Sequence, residues 1–143
     1  MNEATPARGI VLGHGALAEG LVDAVRRISG IEPEALEPLS NVGLSPERLQ
    51  QEVEARLGGG GPVVVFTDLP SGSCNIAARR LCTGRSDVVV VSGVNLPLLL
   101  EFVMHRHRPL SELVPRLLEK GRAGIACAPM ELGGHARPSV PGR

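Results

Sequence analysis

Gly9-Ile10-Val11-Leu12-Gly13-His14-Gly15 is a short apolar run that stops at an imidazole set between two glycines. The run reads as a buried strand, and a helical pattern starts directly after it. Leu17, Leu21, Val25 and Ile28 recur at three- and four-residue spacing, with Glu19, Asp23, Arg26 and Arg27 between them. Gly30 is the stop signal for that helix. Strand, glycine-flanked turn and helix in this order are the opening unit of an α/β layer fold.

Working outward, the same alternation continues. Residues 34–39 give a second strand, poorly formed because Pro38 cannot donate to a ladder. Ser45-Pro46 starts a helix, with the hydroxyl as cap and Pro at the first position, and Leu49, Val53 and Leu57 line one side of it. Val63-Val64-Val65-Phe66 and Val88-Val89-Val90-Val91 are continuous apolar runs, the pattern of parallel strands covered on both faces. Between them a helix is expected over 74–83. Further helices are expected over 98–104 and 111–120, with Pro115 in the first turn of the latter or kinking it. Gly124-Ile125-Ala126-Cys127 reads as a short last strand. The expected fold is an open, mostly parallel α/β sheet of four strands plus that short last one, with helices on both faces. Residues 1–128 form the domain and 129–143, rich in Gly and Pro, a disordered tail.

Composition narrows the function. The chain has 143 residues, enough for one domain with a real core, and 43% of them are hydrophobic, too many for a disordered chain. Lys+Arg and Asp+Glu are 15 each, and the aromatic residues are two Phe. A nucleic-acid binder would show a basic excess and stacking aromatics, so that class is set aside. Residues 1–70 carry five basic and ten acidic groups, and 71–143 the reverse. The apolar stretch Val94–Met104 is interrupted by Asn95, Pro97 and Glu101 and falls short of the ~20 residues that span a bilayer. Met1 to Arg8 lacks an apolar signal core. Cys74, Cys82 and Cys127 lack CxxC spacing and read as free thiols in a reducing cytoplasm.

In parallel sheets, ligands sit beyond the carboxyl ends of the strands. Three loops hold that place: Gly13-His14-Gly15, Asp68 to Cys74, and Gly93-Val94-Asn95-Leu96-Pro97. At His14 the glycines, Gly15 included, remove side-chain bulk and let a large group approach. The helix start supplies free N–H groups suited to an anion, and a neutral imidazole there is a nucleophile. Asp68 is placed to accept a hydrogen bond from Nδ1–H and leave Nε2 reactive. Ser71, Gly72 and Ser73 supply hydroxyls and backbone N–H groups for phosphate oxygens. The local sequence is equally compatible with a histidine that only caps a helix and an aspartate that only makes a turn.

Gly13-His14-Gly15-Ala16-Leu17-Ala18 fits the alanine form of the dinucleotide fingerprint, with Glu37 as the ribose partner. His105-Arg106-His107 reads as solvated surface rather than a metal site, and no G-x-S-x-G nucleophile elbow is present.

Taken together, Ile10 to Gly15, Thr67-Asp68 with Ser71-Gly72-Ser73, Gly93 to Pro97, and Gly121-Arg122-Ala123-Gly124-Ile125 resemble the mannose-family EIIA domain of the bacterial sugar phosphotransferase system, in order from about residue 9 to 127. The resemblance implies that His14 is the phosphorylated histidine and Asp68 its carboxylate partner. It implies a phosphoryl group arriving from the phosphocarrier protein HPr and passing to an EIIB domain, in a cytoplasmic homodimer that meets the membrane only through a transporter complex. Neither metal nor cofactor is required. One departure concerns the second loop: the family often has Gly-Gly-Ser-Pro, a further residue and Asn, where this chain has Ser71-Gly72-Ser73-Cys74-Asn75. The same histidine chemistry also suits a regulatory sensor of phosphorylation state or the phosphotransfer subunit of dihydroxyacetone kinase.

Overall fold

Val63–Thr67 and Arg8–Gly13 form the middle of the sheet in the computed structural model, which describes residues 5–58 and 60–136. In chain order the elements are β1 (Arg8–Gly13), α1 (Leu17–Ser29), a 3-10 turn (Pro33–Ala35), β2 (Leu36–Ser40), α2 (Pro46–Leu57), β3 (Val63–Thr67), α3 (Ser73–Cys82), β4 (Val88–Ser92), α4 (Leu96–His105) and α5 (Leu110–Ala123). The four strands are all parallel and lie in the order β2-β1-β3-β4. Pro38 is tolerated because β2 is an edge strand, with no neighbour requiring its missing N–H on the outer side.

Side chains alternate across the sheet and build two cores. Val11, Val64, Phe66 and Val91 face α1, α4 and α5, where Val22, Leu99, Phe102, Leu113 and Leu117 meet them. Ile10, Leu12, Val63 and Val65 face α2 and α3, where Leu49, Val53, Ala78 and Leu81 meet them. Phe66 and Phe102 pack edge to face with centroids 5.2 Å apart. Gly9 makes room for them: a Cβ there would come within 2.7 Å of Leu36 Cδ1, 2.9 Å of Phe102 Cε2 and 3.0 Å of Phe66 Cε2.

Several sequence expectations are corrected. The buried face of α1 is Ala18, Val22 and Val25, while Leu17 and Ile28 are 46% and 61% exposed. Ala18 faces Gly13 of β1, and with Val22 and Val25 it makes up the side of α1 turned to the sheet. β4 is an edge strand, so Val89 and Val90 are only half-buried. α4 starts two residues early, because the Asn95 side chain caps it by accepting from the Leu98 N–H at 3.1 Å. Pro115 lies beyond the first turn of α5, on its exposed side, and the helix runs on through it to Ala123. Residues 124–127 form no strand; they leave α5 as an exposed extension with Ile125 78% exposed. Beyond them Met130–Ala136 makes 3-10 turns broken at Gly134, and 137–143 of the expected tail lie outside the described residues. Among the described residues no helix is long and apolar enough to cross a membrane.

This topology fixes where a site can form. The chain moves from β1 outward to β2, then returns to the other side of β1 for β3. The loops leaving β1 and β3 therefore diverge to opposite faces and leave a crevice between them, the place where open parallel sheets bind ligands.

Candidate functional site

Leu12 is paired with Thr67, so the next residues of the two strands emerge side by side at the crevice. His14 follows β1 and Asp68 follows β3. Asp68 Oδ2 accepts the backbone N–H of His14 at 2.9 Å and stands 2.7 Å from His14 Nδ1. The other carboxylate oxygen, Oδ1, accepts the Leu69 N–H at 2.9 Å. An ionised carboxylate in this position takes the Nδ1 proton as its hydrogen bond, which leaves the Nε2 lone pair unprotonated. The His14 side chain is 44% exposed and that of Asp68 is 10% exposed, so the imidazole faces solvent on a nearly buried support. Burial pushes the Asp68 carboxyl upward, but the hydrogen bonds from the His14 ring and backbone N–H and the ring's charge outweigh it. The group is held below the ordinary aspartate range.

The backbone around His14 is tied down from β2. Ser40, the last residue of β2, donates its hydroxyl to the Gly15 carbonyl at 2.7 Å, and Asn41 Oδ1 accepts the Gly15 N–H at 3.3 Å. On the other side, Gly72 precedes α3 with φ 91° and ψ 178°, a conformation essentially restricted to glycine. A Cβ on Gly72 would stand 3.9 Å from His14 Cε1, so the positive end of α3 begins beside the ring. Ser73 opens α3 half-buried, and Ser71 is exposed on the rim of a cleft shared with Ile76 and Arg79.

Beneath the ring lies a network that the sequence reading missed. Asn75, 3% exposed, donates its amide to Thr67 Oγ1 at 3.1 Å and to Ser92 Oγ at 2.6 Å. Thr67 Oγ1 in turn contacts Ser92 Oγ at 3.0 Å and the Leu69 carbonyl at 3.1 Å. The amide thus pins the loop carrying Asp68 to the ends of β3 and β4. Thr67 and Ser92 are register partners at the ends of two apolar runs, which is the signal that could have marked them. Cys74, a free thiol as the sequence suggests, is fully buried, and its Sγ lies within 4.8 Å of a His14 ring nitrogen and an Asp68 oxygen.

Glu37 is excluded as a ribose partner. It sits three residues before the end of β2, paired in register with Ile10 and 3.9 Å from Arg56, while the strand-end position is Ser40. His105 is tied to Glu101 (3.4 Å) near the C-terminal end of α4.

A carboxylate-oriented imidazole, open to solvent at Nε2 and flanked by a helix N-terminus, is suited to nucleophilic attack that ends in an anionic adduct. The sequence matches the family EIIA-man, described as PTS system fructose IIA component, over residues 9–117. No curated protein sequence matches it. Among solved structures the chain is similar to phosphotransferase system component EIIA from Streptococcus agalactiae, with TM-score 0.79 and 23% identity over 85% of this chain and 96% of that one. It is also similar to the mannose/sorbose specific IIA subunit from Enterococcus faecalis, with TM-score 0.76 and 21% identity over 86% and 95% of the two chains. A third is the PTS IIA protein associated with the fucose utilization operon from Streptococcus pneumoniae, with TM-score 0.76 and 20% identity over 92% and 99%.

Proposed function

Because the chain belongs to the EIIA-man family of phosphotransferase-system components, we propose that it is a phosphocarrier whose acceptor is His14, loaded by phospho-HPr and unloaded onto an EIIB domain during sugar uptake. The observation that carries this reading is the double hold of Asp68 Oδ2 on His14, through Nδ1 and the backbone N–H. In the transfer, the Nε2 lone pair attacks phosphorus as the phosphorus–nitrogen bond to the HPr imidazole breaks. The leaving ring departs with the electron pair, and the Nδ1 proton of His14 stays where it is. Asp68 offsets the positive charge that the adduct places on the ring. Transfer of this kind needs position and charge rather than proton movement. Backbone N–H groups at Gly72-Ser73, with the hydroxyls of Ser71 and Ser73, receive the phosphoryl oxygens, and Gly15, whose own N–H is held by Asn41 Oδ1, leaves the approach to the ring free of side-chain bulk.

The domain works in the cytoplasm and reaches the membrane only through its transporter partners. It acts as a homodimer. Supporting this, β4 is an edge whose Val89 and Val90 are half-exposed, and Met104 of the apolar α4 is 67% exposed. The deciding experiment is incubation with phosphoenolpyruvate, enzyme I and HPr followed by intact-mass measurement. One phosphoryl group per chain, labile in acid and stable in base, is expected, with none on His14→Ala. Equal labelling of that variant overturns the assignment.

A further inference from the structure

Cys74 lies in the first turn of α3, fully buried, and its thiol stands beside the two residues on which the proposed chemistry rests. One ring nitrogen of His14, one carboxylate oxygen of Asp68 and Cys74 Sγ lie within 4.8 Å of one another. We propose that His14, Asp68 and Cys74 form a binding site for a soft divalent cation, with Zn2+ as its type, and that the cation and the phosphoryl group exclude each other at His14.

The donor set fits that class of ion. Thiolate with imidazole selects zinc and its congeners over magnesium or calcium, and a carboxylate completes three protein ligands with a fourth position for water. Zinc bonds of about 2.0–2.3 Å to N, O and S place neighbouring ligand atoms roughly 3.2–3.7 Å apart. Closing the cluster on an ion therefore draws Cys74 Sγ in by no more than about 1.5 Å and opens the 2.7 Å His14–Asp68 contact by about 0.5–1 Å. The half-exposed imidazole, followed by Gly15, can make the second movement and is the side from which an ion enters.

Charge also favours this cluster over the other His-carboxylate pair. At the far end of the sheet Glu101 is already bound by Arg116 at 3.0 Å, and that guanidinium repels a cation. Among the described residues Asp68 makes no ion pair with Arg or Lys. The other thiols stand apart: Cys82 turns back to the Ala78 carbonyl on α3, and Cys127 is exposed on the extension after α5.

On binding, the Cys74 S–H bond breaks, sulfur donates its electron pair to the ion and the proton leaves to buffer. Exclusion of the phosphoryl group follows from either mode of imidazole ligation. If Nε2 binds the ion, its lone pair is used. If Nδ1 binds, the ring proton moves to Nε2 and the lone pair is again unavailable. The exclusion rests on the phosphocarrier reading; binding of the ion does not.

The test uses the full chain, reduced and freed of metal. Zn2+ is titrated against a chromogenic chelator, and Cd2+ is added separately to look for the ultraviolet charge-transfer band of a cadmium–thiolate bond. One ion per chain and a thiolate band are expected, with Cys74→Ser weakening zinc by about 10–100-fold or more. Cys82→Ser and Cys127→Ser should bind as the parent does. Absence of the cadmium band in the parent chain, a reading that needs no variant, overturns the site. So does unchanged zinc affinity in a folded Cys74→Ser. Phosphorylation is then measured with and without Zn2+. Loss of labelling with Zn2+ in the parent but not in Cys74→Ser supports exclusion, and equal labelling overturns it. A chain that binds zinc through Cys74 but takes no phosphoryl group even without metal retains the site and removes the phosphocarrier reading.

Discussion

Asp68 holds His14 at two points with a single atom: Oδ2 lies 2.9 Å from the backbone nitrogen and 2.7 Å from Nδ1. The backbone contact fixes where the loop begins, and the ring contact fixes which nitrogen faces outward. Replacing that oxygen therefore disturbs position and tautomer together, whereas removing a surface acid would disturb neither.

Asp68→Asn is expected to slow phosphoryl acceptance by on the order of 10²–10³, the range seen when one preorganised electrostatic partner is lost. The amide is nearly the same size but can present its hydrogens to Nδ1 and favour the wrong tautomer. Thermal melting should move by only a few degrees, because the carboxylate lies at a strand end outside both cores. Rate and melting are to be measured on the same sample; an unchanged rate removes Asp68 from the site.

Acid should act through the same residue. The folded Asp68 carboxyl titrates below its ordinary value, so its contribution is fully present above the unfolded value and is lost as pH falls through the folded one. The melting-temperature difference between the parent chain and Asp68→Asn should thus shrink as pH falls from about 5 toward 3. A difference that grows over that interval reverses the sign and refutes the pairing.

Two glycine-to-alanine changes should move stability in opposite directions. At Gly72, φ 91° with ψ 178° excludes a side chain, and Ala is expected to cost about 1–3 kcal/mol and to slow phosphorylation. Gly20 lies inside α1 with open space around it, so Ala should stabilise by about 0.5–1 kcal/mol. Denaturant midpoints of the two variants provide the check.

Thiol reactivity should rank by environment. Burial, and then the charge of Asp68, push the Cys74 thiol up to about 11, while Cys127 is exposed. Timed alkylation at pH 8 with peptide mapping is expected to label Cys127 first and Cys74 last, with the difference abolished in denaturant. Early labelling of Cys74 in the folded chain contradicts its burial.

Sedimentation at micromolar concentration should show a species of twice the 15.0 kDa chain mass. A single species at the chain mass across that range counts against the homodimer.

Much of this was readable in the chain itself, for identifiable reasons. The three apolar runs are local signals, and so is Ser45-Pro46, where the Ser45 hydroxyl does accept the Arg48 N–H at 3.2 Å. The loops bearing His14 and Asp68 follow directly from where those runs stop. What escaped depends on distant parts of the fold. The buried face of α1 runs through Ala18, Val22 and Val25, and the small Ala18 does not stand out in a periodicity read from the large apolar residues. Asn75 reaches Thr67 and Ser92 only because β3 and β4 pair in that register. Cys74 meets His14 only because α3 starts at the crevice. The run at 124–127 has the composition of a strand, but among the described residues no strand pairs with it.

Gly9 carries a consequence for how this fold can vary. The missing side chain at the centre of β1 is the space into which Phe66, Phe102 and Leu36 close. The two phenylalanines are the chain's only Phe, Tyr or Trp side chains, so the largest packing unit of one core depends on a hydrogen atom standing where other strands hold a valine. A drift to alanine or valine at residue 9 must be answered by a smaller residue at 36, 66 or 102. In an alignment of relatives those four positions should exchange volume as a group, with their sum nearly constant while each member changes.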